Sequence, residues 1–450
     1  MSDSQNPLVL GYGNIRKLLW QYSIPSIIAM IATSLYSIID SIFIGHGVGA
    51  MALAGLSISF PFMNLAAAFG SLIGVGAAAM MSVRLGAKDY RSAEEILGNL
   101  VLLNVITGLL FSSVCFIFLD PILYFFGASE ATLPYARDFM KILLYGNVLT
   151  HLYFGLNGLM RSSGYPRKAM ITVLISVFAN VILAPIFIFY FHWGIKGAAL
   201  ATMLAQTSAF IYELCHFFNK KNFIHFKPNI FVLKKDIVYG IISIGIAPFL
   251  LNACASIIVI IVNRKLLLYG GDMAVGAFGV VNRLAMLFVM IVLGLTQGMQ
   301  PIVGYNYGAK QYDRVIKAFR LTVLIATLLT TIGFVLGELF PTAMVSLFTS
   351  DAELMHLSKI GLQISVAVFP IVGFQIVVSQ FFQSIGKAKE AVFLSLSRQM
   401  LFLFPLLLII PHFWELNGVW MSMPISDFMA TIVAAILISR QLNKLKKEIL

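Results

Sequence analysis

The sequence predicts an all-α integral membrane protein, with twelve transmembrane helices in two six-helix bundles. Three observations carry that prediction. First, 59% of the 450 residues are hydrophobic and only 11% charged, with a mean hydropathy of +0.91, whereas soluble domains are nearer half apolar and about a quarter charged. Such a chain needs an apolar solvent outside as well as an apolar core, which excludes a soluble enzyme, a disordered chain and a coiled coil. Second, the apolar residues fall into long continuous runs, unlike the alternating segments of about ten residues in membrane β-strands. Helices satisfy their own backbone groups in lipid, and roughly 20 residues per crossing lets a chain of this length hold about a dozen. Third, the chain repeats itself halfway along.

The first run extends from about Leu18 to Ile44, contains Pro25 and Asp40, and follows a polar start that lacks the layout of a cleavable signal. Further runs lie near 51–82 and 96–119, and then near 138–160, which includes Asn147, His151 and Asn157. The fifth, 168–191, contains Ser176, Asn180 and Pro185, and the sixth, 197–218, contains Thr202 and Gln206. After a Lys-rich connection the runs resume at 237–262, 273–303 (with Arg283), 316–340, 357–382, 391–411 (with Arg398) and 417–438 (with Asp427).

Lysine and arginine orient these runs. The N-terminus, the even-numbered connections and the C-terminal tail hold 23 of the 31 basic residues, among them Arg84, Lys220, Lys221, Arg314 and Lys444. By the positive-inside rule both termini are cytoplasmic. The net charge of +12 therefore reads as topology and as contact with anionic lipid headgroups, not as nucleic-acid binding. Cys115, Cys215 and Cys254 lie in apolar runs at irregular spacing and predict neither a disulfide framework nor a metal site. No phosphate-binding loop followed by a helix appears, which argues against ATP as the energy source.

The repeat is collinear. Leu85-Gly86-Ala87-Lys88-Asp89-Tyr90 recurs 222 residues later as Tyr307-Gly308-Ala309-Lys310-Gln311-Tyr312, and Ser162 and Gly164 map onto Ser384 and Gly386. Nearby offsets relate Pro25 to Pro248 and Gly197 to Gly418. The copies are 1–222 and 223–450, an N-terminal and a C-terminal six-helix lobe. Six is even, so both lobes share one orientation and their pseudo-two-fold axis lies along the membrane normal. Two equivalent bundles flanking a cavity suit alternating access; a receptor or channel has no need of the duplication.

Several motifs stand out: Tyr36-Ser37-Ile38-Ile39-Asp40-Ser41-Ile42-Phe43-Ile44-Gly45 with Ala52-Leu53-Ala54-Gly55-Leu56, Arg84-Leu85-Gly86-Ala87-Lys88, Gln297-Gly298-Met299-Gln300-Pro301, Gly304-Tyr305-Asn306-Tyr307-Gly308-Ala309 and Gln383-Ser384-Ile385-Gly386-Lys387. Together they resemble the motifs of multidrug and toxic compound extrusion (MATE) transporters. The resemblance spans nearly the whole chain, agrees with the 6+6 repeat, and is nearest to the DinF-like prokaryotic branch. It implies a prokaryotic plasma-membrane antiporter that exports amphipathic, often cationic drugs in exchange for H⁺ or Na⁺. A flippase for lipid-linked precursors, similar in fold, is the alternative. No enzyme activity and no cofactor are expected, and the protein is expected to act as a monomer.

Ionisable groups within a membrane are costly and mark function. Asp40 is the foremost of these, with Tyr36, Ser37 and Thr33 on the same helical face and Pro25 available as a hinge. The resemblance implies a cation site built from an aspartate, an asparagine, a threonine and usually a second aspartate on the first, fifth and sixth helices. Asp40, Asn180 and Thr202 match, and a Na⁺ ion is conceivable there, but Ala184 stands where the second acid is expected. That departure favours proton coupling. Tyr36, Asn157 and Gln206 are further candidates for the coupling site. His151 is a candidate relay, and Arg283, at a depth comparable with Asp40, is a candidate charge partner. Asp427 and Arg398 form a second potential pair. Some of the 20 Met and 37 Phe are expected to line a cavity for organic cations.

Overall fold

The computed structural model describes residues 7–349 and 351–449, apart from the side chains of Ser37, Ile38, Ala50, Leu53, Ala54 and Pro61. The described residues form helices and their connections, with no strand. Twelve long helices follow in order: α1 Ile15–Gly47, α2 Ala50–Gly86, α3 Tyr90–Ile117, α4 Leu133–Ser162, α5 Pro166–Pro185 extended by a π-type turn to Tyr190, and α6 Gly194–Phe218. The segment Lys235–Gly308 is two helices, α7 (235–270) and α8 (272–308), divided at Gly271, whose φ of 65° an L-residue rarely adopts. Then come α9 Tyr312–Leu339 and α10, made of Ala352–Val366 and Phe369–Ser384, which meet at a bend of 56°. The last two are α11, running from Ala388 to Ile409 through a wide π-type turn at Ser397–Leu403, and α12 Pro411–Lys447, broken near Trp414 and Glu415.

All twelve predicted runs are thus helices. Apolarity alone singles out fewer of them, because α7 and α8 count as one segment, α10 is bent, and α4 carries polar residues along its length. That polarity is tolerable because Asn147, His151 and Asn157 are buried inside the fold. The lipid-type exterior is apolar as composition required: Phe125, Phe178, Ile117, Leu268 and Leu339 are all well exposed.

The repeat is as regular in structure as in sequence. Helices α3 and α9 begin and end 222 residues apart, and each is followed by a short helix, Leu119–Phe125 and Pro341–Ser346, that starts at the same offset. Packing divides the chain differently from the repeat boundary at 222/223. Among the described residues, one compact unit holds 28–249 with 7–12, and the other holds 13–27 with 250–449. The exchanged pieces are the first turns of α1 and of α7, and glycines explain where they go. A Cβ on Gly76 of α2 would stand 2.1 Å from the Ile241 carbonyl oxygen, and one on Gly245 would stand 1.6 Å from that of Leu72, so α7 crosses α2 backbone to backbone. In the other unit a Cβ on Gly298 of α8 would stand 2.6 Å from the Ser23 Cα, and one on Gly294 would stand 2.7 Å from the Ile27 Cα. Each unit has its own apolar core. One is centred on Phe62, Phe139 and Leu144, the other on Trp420, Leu362 and Leu407.

Candidate functional site

One group of buried polar side chains in the first unit comes from α1, α5 and α6. Tyr36 and Asp40 lie one turn apart on α1, which turns both toward the same neighbours. Asp40, Asn180 and Thr202 are each at least 93% buried. The Tyr36 hydroxyl and Thr202 Oγ1 are 3.0 Å apart. Asn180 Nδ2 donates to Thr202 Oγ1 at 3.1 Å and to the Tyr36 hydroxyl at 3.4 Å. Thr33 and Tyr36 from α1, Ser176 and Asn180 from α5, and Thr202 and Gln206 from α6 all border one cavity of about 100 Å³. Gln206 is oriented by Thr150 of α4, whose hydroxyl donates to its Oε1 at 2.5 Å. The structure thus brings together residues that helical spacing places on one face of each of the three helices. The side chain of Ser37, also predicted on this stripe, lies outside the described residues.

Asp40 itself is the anomaly in this network. Among the described residues its Oδ1 has no hydrogen-bond partner. Most buried carboxylate oxygens are hydrogen-bonded, and an isolated buried charge is costly. A proton or a cation removes that cost. Ala184, fully buried one turn beyond Asn180, supplies no second carboxylate. The hydroxyls of Tyr36 and Thr202 and the amide of Asn180 are already engaged with one another.

The other predicted candidates lie in different places. Asn157 is not in this cluster: its Nδ2 donates to the Ala169 carbonyl at 2.8 Å and to Thr172 Oγ1 at 2.5 Å. It sits instead beside Glu213, a fully buried acid of α6 that is not among the residues singled out from the sequence. A usable signal was present, since Glu213 follows Thr202 by eleven residues and Gln206 by seven, on the same face of α6. His151 Nε2–H donates to the Ala66 carbonyl at 3.1 Å, which leaves Nδ1 as an acceptor with no partner among the described residues. Its ring packs 6.4 Å from that of Phe111. Pro25 is buried within an unbroken α1.

In the second unit Arg398, on the π-type turn of α11, is ion-paired with the buried Asp427 of α12, as depth predicted. The Asp427 carbonyl accepts from Thr431 at 2.7 Å, and π-type turns often accompany function. Arg283 is exposed on α8.

A protein-family model described as MatE matches residues 25–186 and 244–409, one segment in each copy of the repeat. The multidrug export protein MepA of Staphylococcus haemolyticus (strain JCSC1435) is 26% identical over 435 residues, covering 96% of this chain and 95% of that one. MepA of Staphylococcus aureus (strain NCTC 8325 / PS 47) is 27% identical over 425 residues, covering 94% and 93%. Among solved structures, a MATE protein in complex with MaL6 superposes with a TM-score of 0.93 at 24% identity, covering 98% of this chain and 99% of that one. A multidrug resistance MATE family transporter in an outward-facing conformation gives 0.92 at 24%, with 98% of each chain covered.

Proposed function

Because the chain belongs to the MATE family of multi-pass membrane transporters, we propose that it is a secondary multidrug exporter that expels amphipathic organic cations in exchange for protons by alternating access. The observation that carries this reading is the buried Asp40 carboxyl, one oxygen of which has no hydrogen-bond partner among the described residues, set against the Tyr36–Asn180–Thr202 network. The names of the staphylococcal relatives support drugs as the cargo. In this reading a cationic drug and a proton compete for the electrostatic favour of one carboxylate. The proton reaches Asp40 from outside, the drug leaves, and the carboxyl is recharged from the cytoplasmic side. The hydroxyls of Tyr36 and Thr202, fixed by Asn180, form the polar network beside the carboxyl. Arg283 is proposed to pair with the charged form of Asp40 in one conformation, so that protonation releases it. Only such differential interaction shifts populations between states.

Drug accumulation in pump-deficient cells, with and without a protonophore, tests the exchange. Cells expressing the protein should hold several-fold less of a cationic dye, and the protonophore should abolish the difference. In proteoliposomes an imposed proton gradient should drive transport that a Na⁺ gradient does not. Drug export unaffected by collapse of the proton gradient would refute the reading. Arg283→Ala should loosen coupling by a factor consistent with roughly 1–3 kcal/mol between conformations, measured as drug moved per unit of gradient dissipated.

A further inference from the structure

Helices α3 and α9 are repeat mates, yet their first two turns differ in sign. On α3 the connecting segment lies across Glu94, Glu95, Gly98 and Asn99. Lys227 Nζ pairs with Glu94 at 2.6 Å and Lys234 Nζ with Glu95 at 2.6 Å. Asn99 donates to the Val232 carbonyl at 3.0 Å and accepts from the Lys234 N–H at 2.9 Å. A Cβ on Gly98 would stand 2.0 Å from the Ile230 carbonyl oxygen, so only glycine lets the segment lie so close.

On α9 the residues at the same offset are Lys317 for Glu95, Arg320 for Gly98 and Leu321 for Asn99. Of the stretch before α1, which would mirror the connecting segment, residues 7–12 pack with the other unit. What remains on α9 is an open groove of about 670 Å³, bounded by Asn14, Arg16, Arg314, Lys317, Arg320 and Leu324. Arg314 ties the groove together: its Nε donates to Asn306 Oδ1 and its Nη2 to the Gly13 carbonyl, both at 2.7 Å. Arg16, Lys317 and Arg320 are exposed and enter no ion pair among the described residues.

Apolar surface continues from the cations along both helices. Leu324 lies one turn past Arg320 and is 57% exposed, and Trp20 and Ile24 follow Arg16 at one-turn intervals, 45% and 48% exposed. A cluster of cations above exposed apolar side chains has the profile of a phospholipid, with a phosphate at one end and acyl chains below. Arginine and lysine together suit a phosphate, the former through its planar fork. These helix ends carry the excess of basic residues, the face that the positive-inside rule turns toward the anionic inner leaflet. Free phosphate would use the cations but not the apolar flank.

We propose that the groove between the start of α1 and the start of α9 is a binding site for an anionic glycerophospholipid, its phosphate held by Arg16, Lys317 and Arg320. The lipid takes the place that the chain itself fills on α3.

Native mass spectrometry of the full-length protein in detergent, titrated with phosphatidylglycerol, tests this. The wild type should retain phosphatidylglycerol and not phosphatidylcholine, and inorganic phosphate in excess should not displace it. Lys317→Glu with Arg320→Gly, which gives α9 the residues of α3, should weaken retention roughly tenfold or more, since each cation near a leaflet surface matters several-fold. Lys444→Glu with Lys446→Gln removes the same net charge at the end of α12 and should leave retention unchanged. The single variants Arg16→Gln and Lys317→Gln, both at exposed positions, should each weaken it several-fold while eluting as monodisperse protein. Equal retention by the groove variants and the wild type would overturn the proposal. So would equal loss in the α12 control, equal binding of phosphatidylcholine, or displacement by inorganic phosphate.

Discussion

Asp40 and Glu213 are both buried acids of the first unit with carboxylate oxygens that have no partner among the described residues, but they lie in different surroundings. Asp40 adjoins a hydroxyl network on a small cavity, whereas Glu213 lies beside Asn157 and Thr172. Asp40→Asn keeps the volume and hydrogen-bonding capacity of the side chain and removes the exchangeable proton. It should leave expression and thermal unfolding near wild type while abolishing gradient-driven export, measured as drug resistance at equal expression. Glu213→Gln should export at a reduced rate and stay sensitive to the protonophore; a complete loss would move the coupling site toward Glu213. Helical spacing made the faces of Tyr36, Asn180, Thr202 and Gln206 legible, because periodicity alone decides which side of a helix a residue occupies. It could not separate Asn157 from Asn180. Both are buried amides on inward faces, and which one meets Thr202 depends on where two crossing helices touch along their length.

At the scale of the helix, breaks were harder to read than spans. The bend within α10 and the π-type turn of α11 leave an apolar run uninterrupted, so hydropathy passes straight over them. The crossing of α1 and α8 depends on a missing side chain at Gly298, a constraint that appears only when the partner backbone is in place. Gly298→Val should lower stability by roughly 1–3 kcal/mol, the usual cost of overpacking. Gly279→Ala, where a Cβ meets nothing within 4 Å, should stabilise slightly. Thermal unfolding in detergent compares them. Caps behave similarly. Asp89 begins α3 by accepting from the Ser92 N–H at 3.1 Å, and Arg84 donates to its other oxygen at 3.2 Å. Its repeat mate Gln311 makes no side-chain cap. Partial burial alone would raise the Asp89 carboxyl, but the Ser92 and Arg84 bonds outweigh it and hold the group below the ordinary carboxylate range. A group depressed in the folded state stabilises at pH above its unfolded value and loses that contribution as pH falls through its folded value. Asp89→Ala should therefore cost about 1 kcal/mol at neutral pH, and the difference from wild type should fade below about pH 4.

Over the whole molecule the repeat was plain in the sequence, whereas the exchange of helix starts between the two packing units was not, because collinear similarity says nothing about which neighbour a helix touches. Helix α1 leaves one unit and enters the other between residues 27 and 28, and α7 does the reverse between 249 and 250. Pro25 and Pro248 lie within three residues of those crossovers, at mirrored places in the repeat. A proline inside a helix donates no hydrogen bond to the residue four earlier and lowers resistance to bending there. In the proposed alternating-access cycle, α1 and α7 are then the two points where a change in one unit must bend a helix anchored in the other. Replacing either proline with alanine restores a donor, to the Gln21 or the Ile244 carbonyl, and stiffens one crossover. Pro25→Ala and Pro248→Ala should each slow transport several-fold, and together they should slow it by more than tenfold, since about 1.4 kcal/mol of added barrier is a factor of ten. Drug affinity should stay within about twofold, because neither proline borders the cavity at Asn180 and Thr202 and hinge residues act on rates through motion. Initial export rates in proteoliposomes, set beside equilibrium drug binding to the same variants, separate the two effects. Unchanged rates in the double variant would show that the crossovers do not bend during transport.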